Sequence, residues 1–213
     1  MLGPDFIVQG KLNGDASLQG PLENPAGQFQ LQTDNARLAV RTPDTPQELV
    51  IEQLSMKGQL QDQRLTSELT LVSDLASANA SLEHGLDANG PLSGQVAFQL
   101  TSLSPLALLT TDLREISGQV RGDFALAGTL RQPLMDGNIR LHNGNALVPA
   151  LGVAVTDLQM DVQGSPRGQL DVNGSATLGE GTLTLTGTLD PREWPATVNL
   201  SLDGQRLRGA DRP

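Results

Sequence analysis

Two histidines, His84 and His142, are the side chains best placed to move a proton or hold a metal near neutral pH. Each stands among polar or turn residues without a second ligand at metal spacing, which reads as a solvated surface histidine. Asp87-Ala88-Asn89-Gly90 and Asp171-Val172-Asn173-Gly174 have the look of calcium-loop fragments. Both lack the full spacing and the closing glutamate, so hairpin turns are the better reading. A glycosidase needs two facing carboxylates; Asp and Glu are plentiful, and the sequence alone leaves such a pair open. There is no G-x-S-x-G elbow, no Walker loop and no H-E-x-x-H. Without cysteine there is no disulfide, thiolate nucleophile or Cys-based zinc site. Trp194, between Glu193 and Pro195, fits the anchor of a strand start better than a sugar platform. The expectation is a protein that is not an enzyme, with no metal and no cofactor.

If the residues do not make a reaction centre, the elements that carry them become the question. Apolar residues recur every second position: Leu158, Met160, Val162; Leu183, Leu185, then Gly187 and Leu189; Val198, Leu200, Leu202. Val96, Phe98 and Leu100 do the same, as do Ala36, Leu38 and Val40, and Val120 with Phe124 and Leu126. This alternation gives strands with one apolar and one polar face, an antiparallel pattern. Asn-Gly at 13, 89, 143 and 173 and Asp-Gly at 136 and 203 read as hairpin turns, some within longer loops. The stretch Thr42-Pro43-Asp44-Thr45-Pro46 reads as a loop. One segment breaks the pattern. Ser104-Pro105 followed by Leu106, Leu109, Leu113 and Ile116 has helical spacing, which predicts a short helix near 104–116.

A phrase recurs as well. Leu126-Ala127-Gly128-Thr129-Leu130-Arg131-Gln132-Pro133 leads into Gly137-Asn138-Ile139-Arg140-Leu141. An earlier copy, Leu18-Gln19-Gly20-Pro21-Leu22-Glu23-Asn24-Pro25, leads into Gly27-Gln28-Phe29-Gln30-Leu31, and a shorter third runs from Leu185 to Pro191. Strand, glycine, proline, strand is a hairpin unit, and repeated hairpins make an elongated sheet. About a dozen strands at roughly 4.8 Å would extend roughly 50–60 Å, so such a sheet must curl, split or fold over.

Composition narrows the partners. The net charge is −10 and the only lysines are Lys11 and Lys57, which excludes a phosphate-tracking nucleic-acid surface and disfavours an anionic membrane face. One Trp, four Phe and no Tyr leave an interior built from Leu, Val and Ala. No apolar run approaches the 18 residues of a membrane span, and the start lacks a signal peptide. The 213 residues read as one elongated β-repeat domain cut from a longer chain whose targeting segment lies elsewhere.

The series from Gly118 to about Arg206 carries a resemblance: Gly122 to Pro133, Gly137 to Leu141, Asn145 to Val153, Gly181 to Gly187 and Leu200 to Gly204 in order. It resembles the C-terminal domain of the TamB family, the inner-membrane subunits of the translocation and assembly module of Gram-negative bacteria, within the AsmA-like group. The resemblance implies an all-β fold, a curved antiparallel sheet folded over into a β-taco with an aliphatic groove. It implies a periplasmic place, the whole protein being anchored in the inner membrane by a segment absent here. It also implies phospholipid transport to the outer membrane and assembly of β-barrel proteins such as autotransporters with TamA. The partners implied are phospholipid acyl chains or nascent β-barrel strands, and a TamA-like outer-membrane protein through the full-length chain.

On that reading the groove is lined by Phe124, Leu126, Ile139, Leu141, Leu158, Met160, Val162, Leu183, Leu185, Val198, Leu200 and Leu202. The rival reading is a structural periplasmic spacer or adhesin-like β-repeat scaffold with a closed core, in which the same residues pack shut.

Overall fold

The computed structural model describes residues 5–21, 23–41, 47–108, 112–150, 152–165, 168–192 and 196–206. Twelve strands follow the chain: β1 Asp5–Gln19, β2 Ala26–Arg41, β3 Gln47–Gln61, β4 Arg64–Ser73, β5 Ala76–Gly85, β6 Leu92–Leu100, β7 Arg114–Gly128, β8 Pro133–Val148, β9 Val153–Ser165, β10 Leu170–Leu178, β11 Gly181–Asp190 and β12 Thr197–Gln205. They hydrogen-bond in that order in one sheet, and every pairing whose register is described is antiparallel. The dozen amphipathic strands expected from the alternation are present. By packing the chain divides into two compact units, one of residues 1–98 and 123–135, the other of 99–122 and 136–213.

Register explains why the apolar residues share a face. In the first unit Gly14, Leu31, Met56, Leu69 and Ala80 lie in one row across β1 to β5, and Ala16, Phe29, Gly58, Ser67 and Leu82 in the next. Between them, on the other face, runs the row Asp15, Gln30, Lys57, Glu68 and Ser81. Since side chains alternate along each strand, rows alternate apolar and polar across the sheet. Glycines sit in the rows where a neighbour's large side chain crosses the backbone. A Cβ on Gly58 would overlap the ring of Phe29, so only glycine leaves room for that ring.

The same demand corrects the reading of the Asn-Gly and Asp-Gly pairs. Asn13-Gly14, Asn143-Gly144, Asn173-Gly174, Asp136-Gly137 and Asp203-Gly204 lie inside strands; Asn89-Gly90 alone among these dipeptides is in a turn. Asn143, with φ of 53°, supplies the left-handed residue of a bulge rather than of a hairpin, and Asn35 and Asp157 do the same at 54° and 51°. In β9 and β10 the register slips between Ser175 and Thr177, opposite Asp157. Asn145 ties these irregularities together: its Nδ2 donates to Ser117 Oγ and to the carbonyl of Asn143, both at 3.1 Å, and its Oδ1 accepts from the Asp157 amide at 3.4 Å.

Two further expectations change. Ser104–Leu108 forms one 3-10 turn, and β7 begins at Arg114, so Ile116 belongs to a strand and the helix does not run on to 116. Five residues closing one turn hold too few hydrogen bonds to compete with a fifteen-residue strand. Of the repeated phrases, the first two make the hairpin turns between β1 and β2 and between β7 and β8. In the third, Gly187 and Leu189 are strand residues, and the turn starts beyond Asp190. Trp194, Leu109 and the 42–46 loop lie outside the described residues.

Little is sealed. Among the described residues the buried apolar side chains are Ala36, Leu92, Leu103, Val172 and Ala176, and none is fully enclosed. The accessible surface is 14453 Å², whereas a compact monomer of this mass exposes about 9,500 Å². Thr33, the one buried polar residue among those described, is satisfied by donating its Oγ1 hydroxyl to the Lys11 carbonyl at 2.7 Å.

Candidate functional site

The two histidines lie on different strands, β5 and β8. His84 Nδ1 lies 2.8 Å from the carbonyl of Gly85, and His142 is exposed on β8. Asp87 Oδ1 accepts from the Asn89 amide at 2.7 Å and its carbonyl from Gly90 at 2.8 Å, a closed Asx turn. Asp171 to Gly174 lie within β10. Among the described residues no group of His, Asp and Glu could hold a metal.

What the structure does assemble is an aliphatic face in each unit. In the second unit β9 to β12 place Met160, Gly174, Leu185 and Leu202 in one row. Val162, Val172, Gly187 and Leu200 form the next, and Gly164, Leu170, Leu189 and Val198 the one after. The reverse face is polar: Asn173, Thr186 and Ser201 in one row, Ser175, Thr184 and Asp203 in another. A cleft of about 170 Å³ opens in the aliphatic face, walled by Leu158 and Met160 on one side and Leu183, Leu185 and Leu202 on the other, over Gly174 and Ala176. With no side chain on Gly174, the floor of the cleft stays low.

Leu158, Met160, Leu183, Leu185 and Leu202 thus meet in one place, and Val162, Leu200 and Val198 continue the rows beside them. Val198, Leu200 and Leu202 are about half exposed, at 53%, 47% and 66%. Leu141 approaches Leu158 over Gly144, whose missing Cβ would lie 2.8 Å from one and 2.9 Å from the other. Ile139 is half-buried on β8. Phe124 and Leu126 belong to the first unit, where the Phe124 ring stands edge-on to Phe98 at 6.5 Å.

Unanticipated were Val155, Gly174 and Ala176 of the cleft, and the whole first-unit face with Leu31, Met56 and Leu69. The first-unit residues alternate as plainly as those chosen. The floor residues carry no signal of their own, because a glycine or alanine becomes a floor only through its cross-strand neighbours.

Residues 1–141 match the family described as TamB, N-terminal domain. The chain belongs to the TamB family. The matched span covers the first unit and reaches into the second, overlapping the phrase at 126–141. The family expected from the sequence is thus the one found. The domain named is the N-terminal rather than the C-terminal one, and the match lies earlier in the chain than 118–206. No curated protein and no solved structure matches the chain. Membership in the TamB family carries a general role in building the bacterial envelope. No helix among the described residues is long and apolar enough to cross a membrane.

Proposed function

We propose that this TamB-family chain is a periplasmic, non-catalytic carrier segment that shields phospholipid tails on their way between inner and outer membranes. The observation that supports the reading is the aliphatic face of the second unit: rows of Leu, Val and Met on β9 to β12, half-buried or buried on β9 to β11, exposed on β12, and opened by a cleft.

Energetics favour such a surface. Two tails of about 15 carbons in water cost about 20–25 kcal/mol, at about 0.8 kcal/mol per methylene. A face repeated row after row offers equivalent neighbouring sites, so a tail slides rather than sticks. The same face suits an amphipathic strand of a nascent barrel protein as a second cargo. On this reading the groove of a folded-over sheet is continuous in the full-length protein, and a TamA-like outer-membrane protein receives the cargo there.

The test is mass spectrometry of lipid carried by the purified chain, prepared without detergent and loaded from mixed liposomes. Stoichiometric, saturable phospholipid is expected. Leu185→Asp or Leu200→Asp should remove it, with far-UV circular dichroism unchanged. Absence of lipid before and after loading overturns the lipid reading, leaving barrel-strand cargo or a closed scaffold.

A further inference from the structure

The chain is built twice on one plan. β1, β2 and β3 run 15, 16 and 15 residues and are followed by strands of 10, 10 and 9. β7, β8 and β9 run 15, 16 and 13 and are followed by strands of 9, 10 and 9. Backbone signatures coincide 108 positions apart: Gly10 with Gly118, Gly20 with Gly128 and Asn35 with Asn143, all at positive φ. The third strand of each half carries a shared phrase. Leu54-Ser55-Met56-Lys57-Gly58-Gln59 on β3 matches Leu158-Gln159-Met160-Asp161-Val162-Gln163 on β9 at leucine, methionine and glutamine. Each phrase adjoins a slip in register with the following strand, between Ile51 and Gln53 on β3 and between Thr156 and Gln159 on β9.

Two of the chain's four methionines thus hold the same place in the plan. Met56 stands in a row with Leu69 and Ala80, and Met160 in the corresponding row with Gly174 and Leu185. Leucine gives way to glycine on the fourth strand and alanine to leucine on the fifth, yet the thioether stays. Each methionine lies on the aliphatic face of its own unit, and each is within reach of a small solute. Met56 is 38% exposed. Met160 lines the cleft of about 170 Å³, and Gly174 opposite it puts no side chain across the sulfur's approach. Among apolar side chains methionine is the one whose polarity a reversible reaction can change.

We propose that Met56 and Met160 are equivalent oxidation sites, at which a hydroperoxide turns each aliphatic face polar and reduction turns it back. The thioether sulfur attacks one oxygen of hydrogen peroxide. A sulfur–oxygen bond forms and the oxygen–oxygen bond breaks. Sulfur is oxidised by two electrons, and the departing hydroxide takes the proton of the transferred oxygen and leaves as water. The product is methionine sulfoxide. Its oxygen is a strong hydrogen-bond acceptor, and the side chains of Leu158, Leu183, Leu185 and Leu202 around Met160 offer it no donor. Water must enter the cleft to solvate it, and an apolar occupant is displaced. That release of cargo rests on the carrier reading above; the oxidation itself does not.

Treating the purified native chain with hydrogen peroxide tests it, read by peptide mass spectrometry, circular dichroism and the fluorescence of a bound hydrophobic dye. Met56 and Met160 should each gain one oxygen while the circular dichroism holds, and the dye signal should fall by more than half. The two methionine sulfoxide reductases, one for each epimer, should restore it with a dithiol as reductant. Met56→Leu combined with Met160→Leu, a volume-conserving change, should keep its signal through peroxide. Met56→Gln combined with Met160→Gln should lack most of it without peroxide. Either methionine staying unmodified overturns the proposal, as does complete oxidation with the dye signal unchanged. A native chain dark to the dye overturns it as well, since no apolar face is then open to change. Phospholipid loading separates this from the carrier reading. A chain that carries no phospholipid yet loses dye signal on oxidation keeps the switch and overturns the carrier. One that carries phospholipid equally before and after oxidation keeps the carrier and overturns the switch.

Discussion

At the scale of single residues, glycine is the most constrained position in this sheet. Phe29 lies across Gly58, and any Cβ there meets the ring. Gly58→Val should lower unfolding stability by about 1–3 kcal/mol, the range for overpacking, as read from urea titrations. Register decides this contact, so no inspection of Lys57-Gly58-Gln59 alone would find it. Asp190 is a second residue with a definite consequence. The Arg192 side chain donates from Nε to Oδ1 at 2.9 Å and from Nη2 to Oδ2 at 2.5 Å, and the Arg192 amide donates to Oδ1 at 3.0 Å. These bonds hold the Asp190 carboxyl down at about 2, from an ordinary 3.8. A depressed carboxyl stabilises the fold above its unfolded value and loses that contribution as pH falls through its folded one. The melting-temperature advantage of wild type over Asp190→Asn should therefore be full above about pH 5 and shrink toward pH 2. An advantage independent of pH would mean that the pairing does not hold in solution.

At the scale of elements, bulges matter more than turns. Asn143 occupies the left-handed region inside β8, where a non-glycine residue costs about 1–2 kcal/mol and asparagine least. Asn143→Gly should be nearly neutral, and Asn143→Val should destabilise by at least about 1–2 kcal/mol in thermal melts. Asn145→Ala removes three hydrogen bonds that tie β7, β8 and β9 and should cost about 1–3 kcal/mol. The strands themselves were legible from alternation, since a two-residue period survives any tertiary context. Asn143-Gly144 was misread because the same dipeptide supplies positive φ to a tight turn and to a bulge. Whether the chain reverses or runs on is decided by the neighbouring strand. The helical spacing of Leu106, Leu113 and Ile116 failed for a related reason: Ile116 is drawn into β7, where it alternates with the strand's other apolar residues. The aliphatic rows of β9 to β12 were legible residue by residue, but their cleft was not, because Gly174 and Ala176 become its floor only through cross-strand register.

At the scale of the molecule, apolar surface is shared between partial burial and exposure rather than gathered into a core. A hydrophobic dye such as ANS should bind the native chain, with fluorescence that falls on addition of a single-tailed lipid. A dark native state would mean that the faces are covered in solution. The limited burial has another outcome, in calorimetry. Unfolding a chain of this mass exposes about 32,000 Å² in all, of which 14453 Å² is already in contact with water. The newly hydrated area is then about a fifth smaller than for a compact domain of equal length. Heat capacity change and urea m-value scale with that area, so both should fall short of the usual size relation by about that fraction. Its stability would then vary less steeply with temperature, with the cold and hot limits of the native state set further apart for a given maximum.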